Sequence, residues 1–249
     1  MSGPSFIVRR MRIHRRQRID TDLFRGRDAL QAGALTAAEL RSDRYRRIFR
    51  DVYAPGGVAV THELRCRAAA LVVSPEATLT GRSAARVHGV ALVRPRDPVE
   101  LIVPYEQRSH RRAGLNVRCI PIGKDERTDW HGIGLATPLR AAYDLLLRRD
   151  IPRAVADVDV LLRAGLVDAG QLAVLAANRH DHGVTCAREA IQLLDARAES
   201  PPESEVRVLL VRAGLRPTPQ LEVWDDLGLI GRVDLGFEEE KVAVEYDGV

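Results

Sequence analysis

The sequence predicts an α+β protein, and three observations carry the prediction. Two short helical patterns separated by a glycine lead into a basic, aromatic strand pair over residues 21–57. Helix and strand patterns mix over residues 58–197, and one helix followed by three strand patterns occupies residues 198–249. Charge follows the same division. Residues 1–60 hold 13 Arg against 6 acids, and residues 201–249 hold 5 basic against 11 acidic residues, so a formal net charge of only +4 conceals a basic end and an acidic end. A basic N-terminal end predicts a nucleic-acid partner there and a different role for the acidic end.

Composition excludes several classes. No stretch approaches the roughly 18 consecutive apolar residues of a membrane span, and the Arg-rich start has no apolar run after it as a secretory signal would. The expectation is a soluble cytoplasmic protein without a membrane partner. Cys66, Cys119 and Cys186 are an odd number at unrelated spacings, which fits reduced thiols rather than a disulfide framework. His180, His182 and Cys186 lack a fourth ligand of matching type nearby and are taken as structural.

Residues 1–20 carry Arg9, Arg10, Arg12, Arg15, Arg16 and Arg18 without apolar periodicity and are expected to form a disordered basic arm, either touching phosphates or simply solvated. From Thr21, the residues Leu23, Phe24, Ala29 and Leu30 predict a helix ending near Gly33. Thr36-Ala-Ala-Glu39 is a capping-box signature for a second helix through Leu40. The segment Tyr45 to Tyr53 alternates two faces, Tyr45, Arg47, Phe49, Asp51 and Tyr53 against Arg46, Ile48, Arg50 and Val52, and closes at Pro55-Gly-Gly. Helix, turn, helix and a basic strand pair predict a winged helix. Its second helix would enter the major groove, and Arg41, Arg44, Arg46, Arg47 and Arg50 are placed to bind DNA phosphates.

The middle region reads as an α/β scaffold. Helices are expected at 61–73 and 80–88, strands at 99–103 and 115–120, and a helix opened by Thr137 with Pro138 at its first position. Residues 151–197 read as helical with breaks at Gly165 and Gly183. His88 and His131 have no evident catalytic partner and are taken as structural.

The chemistry is concentrated after Ser200. A helix begins at Ser200-Pro-Pro-Glu203 and ends at Gly214, and strands follow at 220–224, 229–235 and 242–246. A turn centred on Glu239-Glu240 would set Asp234 opposite Glu245. Two facing carboxylates repel unless a cation or proton compensates, and a divalent metal such as Mg²⁺ is the natural candidate, held by Asp234 and Glu245. Simpler roles exist for the neighbours: Glu203 completes a capping box with Ser200, Asp247 pairs across the strands with Arg232, and Glu238-Glu239-Glu240 is a solvated turn.

The run Ser200-Pro-Pro-Glu203, Gly231-Arg-Val-Asp234-Leu and Val242-Ala-Val-Glu245-Tyr-Asp247-Gly248 resembles the endonuclease-like domain of the Vsr-like branch of the PD-(D/E)XK nuclease superfamily. The N-terminal half is similar to the winged-helix module of AbiEi-type antitoxins, and Gly81-Arg-Ser-Ala-Ala85 and Thr137-Pro-Leu-Arg140 match stretches that recur between the two modules. The resemblance implies a partial restriction-endonuclease-like αβββ core. It implies catalytic roles for Glu203, Asp234, Glu245 and Asp247, with Asp234 and Glu245 as Mg²⁺ ligands. Two departures lower the expected activity. Asp247 stands where the superfamily pattern has a Lys, and the sequence stops at Val249 before the histidine, helix and strand that would complete the core. Lys241 is four residues from Glu245, roughly 13 Å at strand rise, too far to substitute.

The expected function is therefore a DNA-binding protein with a C-terminally truncated, weakly active or inactive metal-dependent endonuclease-like domain. The alternative is a non-enzymatic transcriptional regulator or antitoxin-like binder. A homodimer or other partner completing the C-terminal sheet is a third expectation.

Overall fold

The structure is a computed structural model that describes residues 23–107 and 112–246. The expected basic arm and Asp247 lie outside the described residues. The fold is α+β, and the chain divides into two compact units at Ala59/Val60.

The first unit runs β1 (Phe24–Arg25), α1 (Gly26–Gln31), α2 (Ala37–Leu40), β2 (Tyr45–Phe49) and β3 (Val52–Pro55), with its sheet in the order β1-β3-β2, all antiparallel. Ala29, Leu40, Phe49, Val52 and Ala54 form its small core. Phe24 meets Tyr45 edge-on at 5.3 Å and stacks on Tyr53 at 6.0 Å, so the residue expected to open a helix instead starts a strand. Gly26 follows because a Cβ there would lie 2.6 Å from the Tyr53 ring. The capping box forms as expected: Glu39 N–H donates to Thr36 Oγ1, and Thr36 N–H donates to the Glu39 carboxylate at 2.8 Å.

The segment expected to alternate continuously from Tyr45 to Tyr53 is instead a tight hairpin. It turns at Arg50-Asp51, where Asp51 adopts a left-handed φ of 68°. Its carboxylate accepts the Arg27 N–H at 2.9 Å and lies near the Arg25 and Arg27 guanidiniums, so ties to Arg25 and to the first turn of α1 hold a conformation that most side chains avoid.

The second unit opens with α3 (His62–Ala70), β4 (Thr78–Leu79), α4 (Gly81–Val87) and β5 (Val99–Val103). It continues with β6 (Leu115–Cys119), β7 (Arg127–Trp130), β8 (Ile133–Ala136) and α5 (Pro138–Leu146). A mixed sheet takes the order β6-β5-β4-β8-β7. Helices α6 (Ile151–Arg163), α7 (Ala169–Ala177), α8 (Val184–Ile191) and α9 (Pro201–Arg212) follow, then an antiparallel meander of β9 (Thr218–Asp225), β10 (Gly228–Phe237) and β11 (Val242–Val244). The core gathers Tyr143, Leu145 and Leu146 of α5, Val155, Val158 and Leu161 of α6, Leu172 of α7, Ala187 of α8 and Val208 of α9.

Residues 198–249 do not form a unit of their own. Helix α9 is tied to α6 through buried Asp159, which accepts bonds from Ser204 Oγ at 2.7 Å and Arg207 Nη2 at 2.9 Å. Burial pushes the Asp159 carboxyl up to about 6 against the pull of the Asp195 N–H, Ser204 and Arg207. Cys66, Cys119 and Cys186 are free thiols, and burial pushes the Cys66 thiol up to about 12. Among the described residues no helix is long and apolar enough to cross a membrane.

Candidate functional site

The hairpin of the first unit concentrates cationic side chains. Arg41 caps the end of α2, Arg44 lies in the turn after it, Arg46 and Arg47 sit on the edge strand β2, and Arg50 is in the hairpin turn. All five are exposed. The ion pairs seen among the described residues of this unit join Arg25 and Arg27 to Asp51 and Arg27 to Asp28, and the five take part in none of them. The bulge between Arg47 and Phe49 breaks strict alternation, so Arg46 and Arg47 are both exposed while Phe49 turns into the core. Helix α2 is a single turn of four residues, about 6 Å long, and offers few side chains to a groove.

The C-terminal carboxylates are arranged differently. The pairs Leu235↔Val244, Gly236↔Ala243 and Phe237↔Val242 fix a register whose next step sets Asp234 opposite Glu245, as the turn symmetry predicts. The strand ends at Val244, however, and beyond it the Tyr246 N–H donates to Asp234 Oδ2 at 2.9 Å. Asp234 is half-buried and Glu245 is exposed to water, which screens the repulsion between them. Arg232 bonds to Glu199. Glu203 is buried at the third position of α9. Its N–H is capped by Ser200 Oγ, and its Oε2 accepts the Glu199 N–H at 2.9 Å and Gln220 Nε2 at 3.0 Å. Glu203 thus holds the start of α9 to β9, where Gln220 adopts a positive φ of 55°.

Among the described residues no group of three or more His, Cys, Asp or Glu side chains is placed to hold a metal ion. Glu203, Asp234 and Glu245 thus make no three-carboxylate group, whereas the nuclease resemblance implies Asp234 and Glu245 alone as the Mg²⁺ ligands. Both Glu203 and Asp234 spend carboxylate oxygens on backbone N–H groups, the bonds that stabilise a carboxylate without a cation.

Sequence reasoning missed an extended charged cluster in the second unit. Arg140 and Asp144, four residues apart on α5, are both buried, with Arg140 Nε 3.2 Å from Asp144 Oδ2. Asp144 also accepts from Thr80 Oγ1 and faces Arg118 of β6 at 3.1 Å. Glu126 joins Arg140 at 2.7 Å and also pairs with Arg179. Glu100 of β5 takes Arg148 at 2.6 Å and the Arg82 N–H at 3.0 Å, while Asp157 of α6 takes the Arg82 guanidinium at 2.6 Å. Gly81 allows this convergence, since a Cβ there would sit 1.9 Å from Glu100 Oε2. Burial pushes the Asp157 carboxyl up despite its Arg82 partner. Nearby, His62 Nε2 lies 2.9 Å from Ser83 Oγ, and burial lowers its pKa, which favours the neutral ring.

Comparison with known proteins adds little chemistry. No protein-family model matches the chain. It is similar to the uncharacterized proteins MT2308 and Rv2248 of two Mycobacterium tuberculosis strains, 29% identical over 160 residues, covering 63% of this chain. The chain spans about half the length of these curated relatives, 53%. A crystal structure of the RV2827C protein from Mycobacterium tuberculosis is similar with a TM-score of 0.46 and 15% identity, covering 82% of this chain and 84% of that one.

Proposed function

We propose that the chain is a non-hydrolytic DNA-binding protein whose first unit grips the phosphate backbone through Arg41, Arg44, Arg46, Arg47 and Arg50. The observation that carries this reading is the exposure of five arginines on one turn and hairpin, all outside the ion pairs of their unit. Guanidiniums without carboxylate partners keep their N–H donors available for phosphate oxygens. The sheet order, with two short helices between its first two strands, agrees with the AbiEi-type winged-helix resemblance. Because α2 is a single turn, phosphate contact outweighs base reading, and binding is expected to depend more on salt than on sequence. The C-terminal strands are read as Vsr-like in descent, with Glu203 and Asp234 serving as local hydrogen-bond acceptors.

The test is equilibrium binding to a short duplex over a range of salt. Each phosphate contact contributes a slope of about −0.9 to log K against log salt, so the Arg44→Gln/Arg46→Gln/Arg47→Gln/Arg50→Gln variant should lose a slope of about 3 to 4 and bind at least tenfold more weakly at ~0.1 M salt. An unchanged slope would remove the hairpin from the interface. Incubation of supercoiled plasmid with Mg²⁺ or Mn²⁺ is expected to leave it intact. Nicking that disappears in Asp234→Ala would restore the nuclease reading.

A further inference from the structure

The second unit contains a cleft of about 670 Å³, walled by Tyr105 after β5, Arg118 to Pro121 at the end of β6, Leu147 and Arg148 after α5, and Asn178 to His182 between α7 and α8. A volume of this size suits a small organic ligand. We propose that it binds a phosphate-bearing ligand of nucleotide size, with Arg118, Arg148 and Arg179 on the phosphate and Tyr105 against the base.

The charge arrangement supports an anion. The three arginines come from three separate stretches of chain, and each is anchored by a carboxylate less exposed than itself: Arg118 by buried Asp144, Arg148 by half-buried Glu100 and buried Asp157, and Arg179 by half-buried Glu126. The arginine side chains are 34%, 29% and 26% exposed, whereas Asp144, Glu100, Asp157 and Glu126 are 0%, 15%, 5% and 13% exposed. The cations therefore form the surface of the cleft and the anions its backing. A guanidinium carries five N–H donors in a fixed fork, so Arg118 and Arg179, each held by one carboxylate, keep donors for a second anion already in place, while Arg148, held through both terminal nitrogens, keeps fewer. Arg179 is further fixed over the Tyr143 ring at 5.8 Å. The carboxylate in the wall, Asp181, accepts the Tyr143 hydroxyl at 2.8 Å.

Phosphate fits better than carboxylate. A carboxylate offers one edge, which a single arginine satisfies, whereas a phosphoryl group presents three oxygens to guanidiniums arriving from different directions. Exposed His180, His182 and Asn178 add polar groups at the same end. Tyr105 is 55% exposed in the wall, a flat apolar surface of the kind on which a nucleobase stacks.

The experiment is calorimetric titration of the full-length protein with inorganic phosphate, the nucleoside 5′-monophosphates and the matching nucleosides. Nucleotides should bind at least tenfold more tightly than either phosphate or nucleosides. Tyr105→Ala should weaken nucleotides about tenfold and leave phosphate unchanged, and Arg118→Gln should weaken both. Because Arg118 also pairs with buried Asp144, the exposed His180→Ala/His182→Ala variant is a second arm with the core intact, expected to weaken nucleotides severalfold. A 5′-phosphorylated dinucleotide that binds as tightly as a mononucleotide assigns the ligand to strand ends as well as to free nucleotides, while weaker binding assigns it to free nucleotides. Nucleosides binding as well as nucleotides, no binding of any probe, or affinities unchanged in all three variants would overturn the proposal.

Discussion

The first unit's hairpin and the second unit's central network each rest on five arginines, used in opposite ways. Arg41, Arg44, Arg46, Arg47 and Arg50 are exposed and stand outside the ion pairs of their unit. Arg82, Arg118, Arg140, Arg148 and Arg179 are paired to Glu100, Glu126, Asp144 and Asp157, all largely buried. Of the 38 basic residues only 2 are lysine, so residue type does not separate the two roles. Burial does. Where the chain is thin, a guanidinium remains in water and its charge is available to a partner. Where α5 and α6 are buried on nearly every side, a charge inside them survives only with an opposite charge beside it.

The sharpest test of this contrast is Arg140→Ala. Arg140 is 1% exposed and touches Glu126, Asp144 and the Pro121 carbonyl, so its removal takes the most deeply buried cation from both carboxylates and leaves Glu126 only Arg179 and Asp144 only Arg118 as cationic partners. Breaking a buried pair from one side costs about 3–5 kcal/mol. Urea unfolding followed by circular dichroism should show a loss of that order, and a loss below ~1 kcal/mol would mean that the network is replaceable packing.

The parts of this architecture that the sequence made legible are those governed by local rules. Thr36 and Glu39 announce their own cap, Thr137 and Pro138 open α5, and the turn at Glu239-Glu240 sets the Asp234–Glu245 register by symmetry alone. What stayed hidden depends on distant contacts. Strand β4 has two residues, too few for any period, and it is a strand because β5 and β8 flank it. The hydrogen bond from the Tyr246 N–H to Asp234 has no sequence signature, and it gives that carboxylate a donor other than a cation. The network did leave a trace. Arg140 and Asp144 interrupt an otherwise apolar Ala141, Ala142, Tyr143, Leu145 and Leu146 at a spacing of four, and Asp157 and Asp159 interrupt a run of valines, so these charges fall in helices whose residues are mostly buried.

Asp159 gives a smaller test of the same principle, at the junction of α6 and α9. Its folded value of about 6 lies above the ordinary 3.8, so the protonated form is the one the fold favours. The stability this group contributes is fully present below the unfolded value and is lost as pH rises through the folded one. Between pH 7 and pH 5 the protein should therefore gain roughly 1 kcal/mol from Asp159 alone. Asp159→Asn should not show that gain, so the difference between wild type and variant should shrink or grow by about that amount between the two pH values. A constant difference would mean that Arg207 keeps the carboxylate ionised throughout.

The smallest effect belongs to the hairpin, and its smallness completes the comparison. Exposed side chains with no partner contribute little to folding, usually within about 0.5 kcal/mol each. The hairpin variant Arg44→Gln/Arg46→Gln/Arg47→Gln/Arg50→Gln should thus unfold at nearly the wild-type urea midpoint, even as its salt-dependent binding collapses. Relief of like-charge repulsion along Arg44 to Arg50 would push stability slightly upward at low salt, and that increment should vanish at ~1 M salt, where screening reaches only about 3 Å. A large loss of stability would mean that these guanidiniums are structural after all and would transfer the hairpin to the same class as Arg140. Unchanged stability with lost binding is the signature of side chains held ready for a partner rather than for the fold.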